Sequence, residues 1–195
     1  MLNMTAPKIL AFAGSSRGAS LNKLLLAVAA EGARAAGADV TLVDLRDYPM
    51  PIYDGDDEMR SGVPGNALAL RGLIADHDAL LVATPEYNGS VSALLKNALD
   101  WCSRPVDGED GLLPYRGKMV GLLAASMGPF GGIRAVAHAR GIFSKMGAVV
   151  LPDEVLLAQA QQAFDAGGNL LNETSRKLAR QLGANLAVQA ARYAA

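Results

Sequence analysis

The chain of 195 residues has one cysteine, Cys102, so no intrachain disulfide can form. That usage fits a reducing compartment. Charge of either sign is not in excess. Lys and Arg number 18 and Asp and Glu 19, a formal net charge of −1. A chain without a basic surplus has little with which to neutralise a phosphate backbone, which argues against DNA or RNA as its main partner. Aromatic residues make up only 5%, too few for an aromatic-rich all-β sandwich. Long apolar runs are missing too. The longest, near Met119 to Met127, falls far short of the roughly 18 residues a membrane span needs. Near the start, Lys8 is the one basic side chain, and the apolar run Ile9–Ala13 is too short for a signal-peptide core. The expected location is therefore the cytoplasm.

What is present is apolar and glycine-rich material. Hydrophobic residues make up 51% and glycines number 21, which excludes a disordered chain and suits helices packed tightly on a sheet. Short apolar runs at 8–13, 40–45, 79–84, 119–125 and 148–151 read as strands. Helical spacing is expected over 21–36, 66–76, 91–103, 133–146 and 174–193. Strands alternating with helices predict one doubly wound domain over 1–195, with a parallel sheet covered on both faces. Ligands of such folds sit at the carboxyl ends of the strands. The loops there are Gly14–Asn22, Tyr48–Gly65, Pro85–Gly89 and Ser126–Gly132. The second of these is too long for an ordinary connection. It is either a flank of the ligand site or a surface excursion.

The first loop, Ala13-Gly14-Ser15-Ser16-Arg17-Gly18-Ala19-Ser20-Leu21-Asn22, leads into a helix. A helix N-terminus offers unpaired N–H groups and partial positive charge. Gly14 and Gly18 permit close backbone approach, Ser15, Ser20 and Asn22 can donate, and Arg17 brings a planar cationic fork. This composition suits a single phosphate, although Ser20 in a plain capping turn would look similar. It is neither a G-x-G-x-x-G fingerprint nor a P-loop. Gly14-Ser15-Ser16-Arg17-Gly18 also satisfies G-x-S-x-G, the hydrolase nucleophile elbow. That reading would make Ser16 the nucleophile, His138 the base and an acid such as Asp100 the third member.

The stretch Thr84-Pro85-Glu86-Tyr87-Asn88-Gly89-Ser90, followed by Leu95-Lys96-Asn97-Ala98-Leu99-Asp100-Trp101, is the most informative. It resembles the NAD(P)H-dependent FMN reductase family of flavodoxin-like proteins, whose members include quinone, chromate and azo-dye reductases. Gly14, Ser15, Arg17, Ser20 and Asn22 match that family's first loop, and Ser126-Met127-Gly128-Pro129-Phe130-Gly131-Gly132 is similar to its third. The resemblance runs from about Lys8 to Leu151. One departure is Ser92-Ala93, where the family more often has Pro-Gly, with an effect expected on the helix start alone.

The resemblance implies a five-stranded sheet of order 2-1-3-4-5 and bound FMN. It implies NADPH or NADH as co-substrate, a quinone or similar small acceptor, and a homodimer or tetramer with the flavin near the subunit contact. The site residues it implies are Ser15, Arg17, Ser20, Leu21 and Asn22, then Pro85, Glu86, Tyr87, Asn88 and Gly89, then Ser126, Gly128 and Gly131. A ping-pong exchange of two electrons would need no acid–base dyad from the protein. A non-catalytic flavodoxin-like carrier is the other flavin reading, and the near-neutral charge speaks against it. Among the remaining residues, Cys102 is expected to be a buried small hydrophobe and Trp101 a core or subunit contact. His77, between Asp76 and Asp78, is expected to be a solvated cap side chain, and Glu109 and Asp110 to be solvated loop charges. Two histidines and one cysteine do not make a metal site.

Overall fold

A computed structural model describes residues 6–193. The strands are β1 (Lys8–Ala13), β2 (Asp39–Asp44), β3 (Ala79–Ala83), β4 (Met119–Ala125) and β5 (Val149–Leu157). The helices are α1 (Leu21–Ala35), α2 (Gly55–Ser61), α3 (Gly65–Asp76), α4 (Ala93–Cys102), α5 (Ile133–Lys145) and α6 (Glu173–Tyr193). All strand pairs are parallel, and the order is β2-β1-β3-β4-β5, as expected. β3 and β4 are buried along their whole length, which explains their uniformly apolar sequences.

The period of two in each strand sorts side chains between two cores. Ile9, Ala11, Leu81 and Leu123 face a layer containing Leu25, Ala29, Leu182 and Leu186 of α1 and α6. Leu10, Phe12, Leu80 and Val82 face the opposite layer, with Leu70, Leu99 and Phe143 of α3, α4 and α5. Helices α1 and α6 pack unusually closely. A Cβ on Gly183 would stand 1.9 Å from the Ala29 carbonyl oxygen, and one on Gly32 would stand 2.0 Å from that of Arg180. Gly32 and Gly183 are the residues that admit this approach.

Two elements depart from the sequence reading. β5 runs nine residues, well beyond the short strand expected at 148–151. Pro152-Asp153-Glu154 looks like a stop, but β5 lies at the sheet edge, where proline is tolerated. The register shift between Val120 and Leu122 absorbs the irregularity. The stretch 48–65, expected from its sequence to be loop, holds helix α2. α2 buries no residue, so it has no apolar period to detect. Its signals are polar: the Asp54 carboxylate accepts from the Asp56 N–H, and Asp56, Asp57 and Glu58 occupy the first turn. The segment is fastened to α4. Pro51 carbonyl oxygen accepts from Trp101 Nε1 and Asn97 Nδ2, each at 2.8 Å, and Asn97 Oδ1 accepts from the Tyr53 N–H. Arg104 and the Tyr53 hydroxyl both bond Glu58. Trp101 is thus a core residue with its indole N–H spent on this anchor.

His77 is buried and not solvated, with Nδ1 on the Leu73 carbonyl and Nε2 on the Thr41 hydroxyl. Glu109 and Asp110 remain largely exposed, but each meets an arginine, Arg71 and Arg116 respectively. Cys102 is buried, and burial pushes its thiol up to about 12 despite the opposing field of Arg71. It is expected to resist alkylation by iodoacetamide in the native protein and to react only after unfolding, as mass spectrometry would show. Tyr115 is fully buried, and its hydroxyl has no partner among the described residues. Tyr115→Phe removes that uncompensated group and keeps the ring. Stability should rise by about 1 kcal/mol, read as a higher Tm.

Candidate active site

The strand order reverses between β1 and β3, so the loops leaving these neighbours must diverge, and a crevice opens between them. Gly14 N–H donates to Ala83 O at 2.8 Å, and Ser92 Oγ donates to Gly14 O at 2.6 Å. A Cβ on Gly14 would lie 2.8 Å from Leu95 Cβ, so the turn out of β1 needs glycine for close approach. Ser92 also caps α4, its Oγ accepting from Leu95 N–H. The family departure at Ser92-Ala93 therefore retains a working helix start.

A cavity of about 210 Å³ occupies this crevice. Ser15, Arg17, Ser20, Leu21 and Asn22 line it from the first loop, and Pro85, Glu86 and Tyr87 from the second. Ser126 and Gly128 line it from the third, together with Ala125 and Met127, which the sequence reading did not select. Asn88, Gly89 and Gly131 are not among its lining residues. Asn88 and Gly89 form a tight turn in which Tyr87 and Ser90 exchange backbone hydrogen bonds at 3.0 Å, with φ of 50° and 78°. Two positive φ values at the turn centre are what Asn-Gly supplies. Gly131 packs against β5: with φ of 61°, a Cβ there would stand 3.0 Å from the Leu156 carbonyl carbon. No residue of 48–65 lines the cavity.

The anion-binding character is concentrated at one end. α1 begins here with no acidic residue in its first turn, and Ser20 Oγ accepts from Lys23 N–H at 3.4 Å. Three cations surround the loop. Lys23 is paired with Asp44, and Arg46 donates through its guanidinium to the Ser16 carbonyl. Arg17 forms no ion pair among the described residues and borders the cavity. Its guanidinium is the one left to meet a ligand. Asn22 does something the sequence did not reveal. Its Nδ2 donates to Ala125 O and its Oδ1 accepts from Ala125 N–H, both at 2.9 Å. The side chain joins the first loop to the end of β4.

The third loop is held by main chain. Ser126 N–H donates to Leu157 O at 3.0 Å, Ala160 N–H to Ser126 O at 3.0 Å, and Gln159 N–H to Gly128 O at 3.2 Å. A model of the NADPH-dependent FMN reductase family matches residues 7–162, which carry all three loops. The chain belongs to that family. This family member is thus an oxidoreductase of the FMN- and NAD(P)H-using class. It is 39% identical over 176 residues to the NAD(P)H-dependent FMN reductase of Pseudomonas aeruginosa, covering 89% of this chain and 90% of the relative. It is 35% identical over 173 residues to a 2-hydroxy-1,4-benzoquinone reductase from a Burkholderia species, covering 88% and 90%. Among solved structures, the Paracoccus denitrificans flavoenzyme NAD(P)H:(acceptor) oxidoreductase superposes with a TM-score of 0.79 at 26% identity, covering 96% and 99%.

The residues present fit FMN. A phosphate would find Arg17, the α1 N-terminus and the Ser15 and Ser20 hydroxyls, and Asn22, Pro85 and Ser126 line the same cavity. The hydrolase arrangement, in contrast, is not assembled. Ser16 is exposed and outside the cavity, His138 Nδ1 bonds Ser90 Oγ at 2.9 Å, and Asp100 bonds Lys96. No hydrogen bond joins the three among the described residues. A larger groove of about 910 Å³ lies between α4 and α5 and shares Tyr87 with the cavity. Its lining includes Lys96, paired with Asp100, His138, bonded to Ser90, and Lys145, and it lacks the arginine and α1 N-terminus that the smaller cavity combines.

Proposed function

We propose that this chain is an NAD(P)H:quinone-type oxidoreductase that holds FMN in the cavity at the β1/β3 switch point. The observation that carries the reading is the convergence of three loops on one cavity with an unpaired arginine at its helix end. Arg17, Ser15, Ser20 and the first turn of α1, with Leu21 and Asn22, hold the phosphate and the chain attached to it. Pro85, Glu86 and Tyr87 form one side of the ring slot, with the Asn88-Gly89 turn shaping that loop, and Ser126 and Gly128 form the other, with Gly131 seating its loop against β5. Bound FMN would supply the two-electron redox chemistry, for which the buried thiol of Cys102 is unsuited. The protein's part is to bind, to orient and to hold backbone N–H groups where charge grows on the ring.

NADH or NADPH and a small acceptor, a quinone foremost, use the same slot in turn, a ping-pong order. The Burkholderia relative's name supports the acceptor class. A single sheet spanning the described residues supports reading the chain as one domain, and the lone buried thiol suits the cytoplasm. No helix among the described residues is long and apolar enough to cross a membrane. Tyr87 and Met127, 52% and 64% exposed, line the cavity, and Phe130 and Ile133, 62% and 46% exposed, lie on the end of the third loop and the start of α5. A patch of that kind favours a homodimer or tetramer with the site at the contact.

The test is direct. The purified protein should be yellow, release FMN on denaturation, oxidise NAD(P)H steadily with benzoquinone, and give parallel double-reciprocal lines. A colourless protein that does not take up FMN would end the cofactor reading. Intersecting lines would end the ping-pong order. Sedimentation that shows a monomer at micromolar concentration would end the oligomer.

A further inference from the structure

Glu86 has a geometry that goes beyond lining a cavity. Its side chain is only 8% exposed, although it lies on a loop. Oε2 accepts from the backbone N–H groups of Arg134 at 3.1 Å and Ala135 at 3.4 Å, in the first turn of α5. Oε1 accepts from Arg134 Nε at 2.7 Å, and Arg134 Nη2 completes the pair. The cap position of α5 is Gly132, which offers no side chain and has φ of 88°. A Cβ there would stand 2.6 Å from Ala124 Cβ. The helix cannot carry its own capping side chain, so a carboxylate from a different loop takes that place. Burial by itself would raise the Glu86 carboxyl. The Arg134 side chain and the two N–H groups outweigh burial and hold it below the usual range.

Every partner of this carboxylate is a donor. A glutamine would turn an NH₂ group toward N–H groups or a guanidinium, so only the acid satisfies the set. The two segments joined are the loop 84–90 and the start of α5, which ends the loop 126–132. Residues of both loops line the cavity.

We propose that Glu86 is a positioning residue that sets the spacing of the ring slot by clamping loop 84–90 to the start of α5, with Arg134 as its counter-ion. The inference rests on the FMN reading above. A clamp at the ring end acts on any flavin, with or without a phosphate. Glu86→Gln and Glu86→Ala should therefore weaken FMN and riboflavin binding by a similar factor, about tenfold for the loss of one charge-assisted hydrogen bond. The visible band of the bound flavin should also shift. Arg17→Ala should weaken FMN and spare riboflavin. Arg134→Gln, made at the more exposed partner, gives the same pattern with a smaller factor and serves where Glu86 variants do not fold. The double variant should cost little more than Glu86→Gln alone.

The measurement is flavin fluorescence quenching on the folded apoprotein, with Tm recorded alongside. Wild-type affinity for both flavins in Glu86→Gln and Arg134→Gln, or a loss confined to FMN, overturns the clamp. A wild-type protein that binds neither flavin overturns the FMN reading, and the clamp with it.

Discussion

Gly183→Ala is expected to lower stability by about 3 kcal/mol, the upper end of overpacking costs. The new Cβ would meet Ala29 O at 1.9 Å, Ala29 C at 2.9 Å and Ala33 N at 2.9 Å. All three are backbone atoms of α1, so no side-chain rotation relieves the contact. α6 has to move off α1, and the buried layer formed by Leu25, Ala29, Leu182 and Leu186 opens with it. For a protein of this size the loss corresponds to a Tm lower by about 6–12 °C. Thermal unfolding followed by circular dichroism reads it. A drop of under about 2 °C would mean that the helices separate without cost. Gly32→Ala strikes the same contact from the other side, so the two substitutions together should cost less than their sum.

The second large effect is on the ligand. Arg17→Ala should reduce FMN affinity by about 10- to 150-fold, the loss of about 1.5–3 kcal/mol from a charged hydrogen-bonding partner. Lys23 and Arg46 cannot substitute, because each is already engaged, with Asp44 and with the Ser16 carbonyl. Arg17→Lys should recover part of the affinity, since it restores the charge but not the fork. Arg17 is exposed, so the difference should narrow as salt is raised. Titration at two ionic strengths gives both quantities. Unchanged FMN affinity in Arg17→Ala would remove its assignment to the phosphate.

The parts of the fold visible in the sequence were those in which one physical demand dominates. β3 and β4 are buried on both faces and read as unbroken apolar runs. α1 has an apolar period and a capping serine. α2 has neither, being a short solvent-facing helix held by polar contacts to α4, and it was read as loop. The length of β5 was hidden by Pro152, whose cost depends on lying at an edge, a fact of topology. His77 looked solvated because of the aspartates on either side, yet Leu73 and the distant Thr41 enclose it.

At the site, the first loop was legible in its glycine, serine and arginine, and the other two through their resemblance to the family's motifs. Ten of the residues selected there line the cavity, while Asn88, Gly89 and Gly131 do not and Ala125 and Met127 were not selected. Gly131 serves a close approach to β5, and Asn88 and Gly89 serve a turn. Asn22 bonds Ala125, 103 residues away, and Glu86 bonds Arg134, 48 residues away. No local pattern encodes such pairs.

The loop 126–132 is fixed by its own main chain against Leu157, Gln159 and Ala160. Met127, 64% exposed, therefore bears little of the fold while lining the cavity. Two neighbouring tasks are thus under separate control. On the proposed function, the backbone keeps the cofactor and an outward side chain such as that of Met127 meets what approaches it. Substitution of Met127 is then expected to alter acceptor preference while sparing flavin affinity, so the two tasks can be changed separately.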